Sequence, residues 1–233
     1  MKRAVVMGAS SGIGREVALL LRRQGWAVGV AARRLDRLAD FEYAAQIDVT
    51  DAGAADCLLQ LIDRLGGVDL YLHASGIGHQ NRDLKEDIEL QTVETNAVGF
   101  TRMVGAAYRY MACHGGGHIA VISSIAGTKG LGPAPSYSAT KAMQNTYIQA
   151  LEQLANAQQL NIRFTDIRPG FVATDLLNDG HHYPLMLTKE AVARDIVRSI
   201  DRRRHVRIID WRWRAITSLW RRLPRFIWRR LRL

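Results

Sequence analysis

Two cysteines and five prolines are all of either type that this 233-residue chain contains, and nowhere does an apolar run reach about 18 residues. Cys57 and Cys113 lack metal-site spacing and are too few for a disulfide framework. They read as small buried residues of a protein in a reducing cytosol. Without a long apolar run, no helix is expected to span a membrane. Met1-Lys2-Arg3 leads after a few apolar residues into a glycine loop and does not read as a secretory signal. No carboxylate or cysteine stands at ligand spacing from His181 and His182, so no metal is expected and the pair reads as solvated loop. Neither an internal repeat nor a low-complexity linker is present.

Acid is scarce at the end of the chain. From Arg202 onward twelve arginines face one carboxylate, Asp210, a net +11; the whole chain carries +10, which leaves −1 for residues 1–201. Four of the five tryptophans, Trp211, Trp213, Trp220 and Trp228, sit in the same stretch. The basic character therefore belongs to a tail and not to the body. The body has room for one sizeable core, and a hydrophobic content of 48% is that of a globular domain.

Short apolar runs alternate with amphipathic stretches along that body. Ala4-Val5-Val6-Met7, residues 27–32, 68–72, 118–122, 162–167 and 205–209 read as strands. Helices are expected after Ser10 or Ser11, which would cap the first, and over 90–113, 138–159 and 189–201. Strand and helix in alternation imply an α/β fold: a doubly wound, parallel, Rossmann-like sheet in a single domain, residues 1–210, with a basic helical tail, 211–233.

Gly8-Ala9-Ser10-Ser11-Gly12-Ile13-Gly14 lies between the first strand and the first helix. Glycine there permits a tight turn and close approach of backbone to a pyrophosphate, while the helix start offers N–H groups and a positive dipole end. The second strand ends Ala31-Ala32-Arg33-Arg34, without the acid that holds a ribose 2′-hydroxyl in NAD sites. Arginine grips phosphate, so Arg33 and Arg34 point to NADP(H).

Tyr137 and Lys141 stand at i and i+4, on one helix face. A phenol with an ordinary pKa near ~10 is a poor base at neutral pH, and a nearby ammonium is expected to lower it. With these residues the chain resembles the short-chain dehydrogenase/reductase family. It matches that family's glycine loop (Gly8, Gly12, Gly14) and its tyrosine–lysine pair. Its catalytic serine falls at Ser124, its helix asparagine at Asn96, its adenine-contacting pair at Asp48-Val49, and its proline–glycine turn at Pro169-Gly170-Phe171-Val172-Ala173-Thr174. The resemblance implies that Tyr137 passes a proton to or from the substrate oxygen, Ser124 hydrogen-bonds that oxygen, Lys141 binds the nicotinamide ribose, and Asn96 supports a water-linked proton path. It also implies that Ala74, Gly76, Val172 and Thr174 contact cofactor. The expected activity is hydride transfer between NADP(H) and the carbonyl or secondary alcohol carbon of a small molecule. The alternative is a non-catalytic nucleotide-binding sensor or scaffold.

There are departures. Met7 replaces the family's usual threonine, and His73-Ala74-Ser75-Gly76 its asparagine-rich motif; His73 reads as structural. Ile208-Ile209-Asp210 runs directly into Trp211 where many members have a glycine-rich end that makes tetramer contacts. Residues 175–188 are expected to form a substrate flap, with Leu176, Leu177, Tyr183, Leu185, Met186 and Leu187 as an apolar lining and hence a hydrophobic substrate.

Drawn as a helix, the tail puts Trp213, Ile216, Trp220, Leu223, Ile227 and Leu231 on one side and arginines on the other, with a break at Pro224. Such a stripe suits a membrane surface or a second subunit in a homo-oligomer; packing on the chain's own body is the plainer alternative. Nucleic acid is disfavoured, since the body is neutral and carries no recognition motif. A cytoplasmic enzyme, held at the membrane periphery if the tail meets lipid, is the expectation.

Overall fold

The computed structural model describes residues 1–177 and 183–231. Seven parallel strands make one sheet: β1 (Arg3–Met7), β2 (Ala27–Ala32), β3 (Tyr43–Gln46), β4 (Leu70–His73), β5 (Gly117–Ile122), β6 (Ile162–Arg168) and β9 (Val206–Ile208), in the order β3-β2-β1-β4-β5-β6-β9. The order reverses at β1, next to β4, and ligands bind at the carboxyl ends of strands at such a switch point.

A parallel sheet is covered on both faces, and β1 shows how. Ala4 through Met7 are all fully buried; Val5 and Met7 face one core, Ala4 and Val6 the other. The first core is closed by α2 (Ala54–Arg64), α4 (Phe100–Cys113) and α5 (Pro135–Ala157), the second by α1 (Gly12–Arg23) and α6 (Lys189–Asp201). A two-stranded parallel ribbon, β7 (Val172–Ala173) with β8 (Leu187–Thr188), pins both ends of the expected flap.

The expected fold class holds, with differences of detail. The half-exposed edge strand β3 and the amphipathic helix α2, which buries Ala54, Leu58, Leu61 and Ile62, were not anticipated. The helix expected over 90–113 begins earlier, as α3 (Glu86–Val93), and passes through a π turn, Glu94–Gly99, before α4. Both cysteines are exposed rather than buried: Cys57 stands outside the Ala54–Leu58–Leu61 face of α2, and Cys113 ends α4. Ser11 occupies the N-cap of α1, but no side chain caps that helix; its hydroxyl accepts instead from Arg34 at 3.2 Å. His181 and His182 lie outside the described residues, as does the side chain of Leu176. In the flap Met186 is exposed, so it does not line an apolar pocket in this form.

The tail breaks at Pro224 into α7 (Trp211–Arg222) and α8 (Arg225–Trp228). Asp210 redirects the chain into α7 at φ +73°, a backbone state that glycine usually supplies. Its carboxylate recovers part of the strain by accepting from the Arg212 amide (2.8 Å) and pairing with the Arg212 guanidinium (2.6 Å), contacts that hold it below the usual carboxylate range. Trp213 is buried against Phe171 (ring centres 5.4 Å apart) and against Gly170, where an added Cβ would lie 2.2 Å from its Nε1. Trp220 stacks edgewise between Trp213 and Trp228, and Trp228 Nε1 donates to the Gly130 carbonyl at 2.8 Å. The inner tryptophans are thus covered by the chain's own body. Trp213→Ala should cost about 3–5 kcal/mol and lower the thermal midpoint by on the order of 10 °C in calorimetry. A loss under about 1 kcal/mol would show that α7 is not part of the cooperative unit.

Candidate active site

Six strands deliver the residues singled out in the sequence to one edge of the sheet. The glycine loop follows β1, Arg33 and Arg34 follow β2, Asp48 and Val49 follow β3, Ala74–Gly76 follow β4, Ser124 follows β5, and the turn Pro169–Thr174 follows β6.

The glycine loop is held by contacts that side chains would forbid. Gly8 has φ +90°, and a Cβ there would lie 2.6 Å from the Ser75 amide nitrogen; a Cβ on Gly14 would lie 2.4 Å from the Gly8 carbonyl oxygen. The loop is therefore pressed onto Ala74-Ser75 on one side and tucked under its own helix on the other. Gly12, at φ +58°, faces Thr174 with 3.4 Å to spare from an added Cβ to Cγ2, so the turn after β6 comes to the loop as well. Arg34 spans the loop's open side, donating to the hydroxyls of Ser10 and Ser11 at 3.2 Å each. Arg33 is exposed at the strand end. Asp48 closes a local turn by accepting from the Thr50 amide (3.0 Å) and hydroxyl (2.8 Å), and Val49 packs where Gly99 has no side chain. An uncapped helix start, a glycine cradle and flanking guanidinium groups fit the pyrophosphate and ribose of a dinucleotide.

Ser124 N-caps the short 3₁₀ turn Ile125–Thr128, accepting from the Ala126 amide at 3.0 Å, and its hydroxyl lies near enough to the Tyr137 phenol to favour the phenolate. Tyr137 is in the first turn of α5, which opens at Pro135, a residue preset for a helix start. Gly127 lets the serine turn lie on α5: a Cβ there would lie 2.7 Å from the Lys141 carbonyl. Gly78 does the same for the tyrosine, since a Cβ would lie 2.6 Å from the Tyr137 ring. Burial pushes the Tyr137 phenol above its usual value, and the nearby Ser124 hydroxyl pulls the other way. The lowering expected from Lys141 does not decide the balance, because the ammonium sits 5.8 Å from the ring centre and turns elsewhere.

Lys141 is 4% exposed and donates to the Ile122 carbonyl (3.2 Å) and to Gln144 Oε1 (3.0 Å). Burial lowers its pKa to about 8; the Asp166 charge opposes that. Gln144, fully buried, passes its Nε2 hydrogen to the main-chain carbonyl of Asn96 at 2.8 Å. Asn96 lies in the π turn and clamps Ile77 from both ends, accepting from its amide (2.9 Å) and donating to its carbonyl (2.7 Å). Gly76 lies between them; a Cβ there would be 3.3 Å from Asn96 Oδ1 and 3.6 Å from Lys141 Nζ. His73 is buried beside this group with Nδ1 on the Tyr71 hydroxyl (2.9 Å). Burial first and the Lys141 charge second lower its pKa to about 3, so it is neutral, in keeping with a structural role.

Three participants escaped the sequence reading. Gln144 was hidden as one polar residue in a long helix, and its position on the Lys141 face three residues on was the available signal. Asp166 looked like an interruption of an apolar strand. It is buried, accepts from Ser123 Oγ and pairs with Arg168 at 2.6 Å. Gly78 gave no signal short of knowing what packs on it.

A family model described as short chain dehydrogenase matches residues 2–182. An uncharacterized oxidoreductase of Myxococcus xanthus is 33% identical over 207 residues, 82% of this chain and 81% of that protein. A glycine betaine reductase of Emericella nidulans is 35% identical over 189 residues, 76% of this chain but 15% of that protein. Among solved structures, an alcohol dehydrogenase of the archaeon Thermococcus sibiricus complexed with 5-hydroxy-NADP aligns with a TM-score of 0.79 at 26% identity, over 90% of this chain and 96% of that one. An actinorhodin polyketide ketoreductase variant with NADPH aligns at 0.73 and 25% identity, over 84% and 89%. The chain belongs to the short-chain dehydrogenase family. It is an NAD(P)-dependent dehydrogenase or reductase.

The Lys141–Gln144–Asn96 chain has a pH consequence. An ammonium with a pKa of about 8 loses its charge as pH rises through that value, so activity that needs the cation should fall there. Gln144→Leu removes an acceptor from the ammonium and should move the alkaline limb of the rate profile to lower pH. Gln144→Glu supplies a carboxylate and should move it to higher pH. Superimposable profiles for the three proteins would refute this linkage.

Proposed function

We propose that this chain transfers hydride between NADP(H) and the carbonyl or secondary alcohol carbon of a small apolar substrate, with Tyr137 as acid and base. The observation that carries the reading is the nearness of the Tyr137 phenol to the Ser124 hydroxyl, with the buried Lys141 ammonium 5.8 Å from its ring centre. The dinucleotide, when bound, supplies or takes up the hydride. In reduction the carbonyl oxygen gains negative charge, the Ser124 hydroxyl donates to it, and the Tyr137 phenol gives it a proton. The Lys141 ammonium, 5.8 Å from the ring centre, would add positive charge on the side of the phenolate. In oxidation the same phenolate removes the alcohol proton.

A phenol raised by burial keeps its proton at neutral pH and so is ready to act as the acid of the reduction. Asn96 is tied to Lys141 by Gln144, so the path that restores the tyrosine proton starts from a fixed amide pair. Arg34 lies across the loop hydroxyls and Arg33 at the neighbouring strand end. They would hold the 2′-phosphate, with Gly8, Ser10, Ser11, Gly12, Ile13 and Gly14 at the pyrophosphate, Asp48 and Val49 at the adenine, and the turn from Pro169 through Gly170 and Val172 to Thr174, with Ala74 and Gly76, at the nicotinamide side. Phe171, tilted against Tyr183 with ring centres 4.7 Å apart, offers an aromatic wall for an apolar substrate.

Tyr137→Phe should bind NADPH as the parent does, in a fluorescence titration, and lose about 10²–10⁴-fold in turnover on whichever ketone or aldehyde of an apolar panel is reduced. Undiminished turnover would refute the assignment. NADPH should bind more tightly than NADH, with Arg34→Ala and Arg33→Ala each closing the gap by about tenfold. Equal affinities in the parent would end the 2′-phosphate argument.

A further inference from the structure

The tail has two apolar faces, and the body covers only one of them. Trp213, Thr217 and Trp220 point inward along α7 and Trp228 follows in α8. On the opposite side of α7, Trp211, Ala215 and Leu219 follow one another at i, i+4 and i+8; Trp211 is 70% exposed and Leu219 60%. Beyond Pro224, Phe226, Ile227 and Leu231 are exposed as well. Interleaved with them stand Arg214, Arg221, Arg222, Arg225, Arg229 and Arg230, all exposed and none with a carboxylate partner among the described residues.

Charge decides between occupants for this face. A second copy that brought the same face would set two strongly basic surfaces together, at a cost in repulsion. A nucleic acid would answer the arginines but gain nothing from exposed leucine, isoleucine and phenylalanine side chains. An anionic bilayer surface answers both: its headgroups attract cations, and its acyl boundary takes up apolar side chains set among them. We propose that the outward face of α7 and α8 docks the enzyme onto an anionic lipid surface, with Trp211 and Leu219 entering the interface and the arginines meeting the headgroups. The inward face meanwhile rests on Gly170, Phe171 and the turn after Ser124, so the docked surface lies one helix thickness from the substrate side of the site. The docking itself does not depend on the assigned reaction.

The test is sedimentation of the full chain with vesicles of phosphatidylcholine alone or with about 30% phosphatidylserine. Three variants accompany it: Trp211→Asp, Leu219→Asp and the pair Arg221→Ser with Arg222→Ser. All of these positions are exposed, and an unchanged thermal midpoint verifies folding. Binding should require phosphatidylserine and weaken with salt. It should fall roughly 25-fold in the arginine pair, about fivefold for each charge removed, and be lost with either aspartate. Three results would overturn the proposal: no binding to either vesicle, equal binding to both, or a light-scattering mass of an oligomer that Leu219→Asp dissociates. A fourth would be duplex DNA binding that is indifferent to the aspartates, with no vesicle binding.

Discussion

An ammonium taken out of water must find acceptors or give up its proton, and Lys141 is buried at the ends of the central strands. Much of the site can be followed outward from that constraint. The Ile122 carbonyl at the end of β5 takes one hydrogen, and Gln144 takes another. Gln144 in turn needs an acceptor for its own amide, which the π turn presents as the Asn96 carbonyl, and π turns are common at functional sites for this kind of re-aimed group. Asp166 lends a compensating negative charge, and it is itself held by Arg168 and Ser123, the neighbour of the serine that meets Tyr137. A cation and an amide on α5, an amide in the π turn, a carboxylate on β6 and a carbonyl at the end of β5 thus fix the geometry under the tyrosine.

The sheet was readable because burial on both faces leaves strands such as Ala4–Met7 wholly apolar, and the glycine loop because a close crossing of backbones excludes every other residue. The tyrosine–lysine pair was readable because helical spacing fixes which residues share a face. What escaped the sequence were groups whose role is defined by a distant partner. Gln144 matters through Asn96, Asp166 through Arg168 and Lys141, and Gly78 through the ring of Tyr137. The expected capping role of Ser11 failed for the same reason: Arg34, from the turn after β2, engages its hydroxyl. The exposed cysteines show the limit of residue-type averages, which favour burial for cysteine but say nothing about a given helix face.

In the tail, the stripe of tryptophans fixed that α7 is amphipathic without saying toward what. The structure resolves the stripe into an inner row that completes the domain and an outer row set among arginines that meet no carboxylate among the described residues. Asp210 makes the division sharp by turning the chain in a single residue, at a strained dihedral held by Arg212.

The contact between Trp213 and Gly170 has an evolutionary consequence. Glycine in the turn after β6 looks like a requirement of cofactor binding, yet here its missing side chain is also the slot into which an indole fits. The two positions are bound as a pair: a side chain at position 170 would have to displace the Trp213 indole, and the indole keeps its seat only beside glycine. The tail is therefore not a portable appendage. Grafted onto a relative with a bulkier residue in that turn, it would find its seat closed. The choice of residue at position 170 is thus constrained by a tryptophan outside the proposed chemistry.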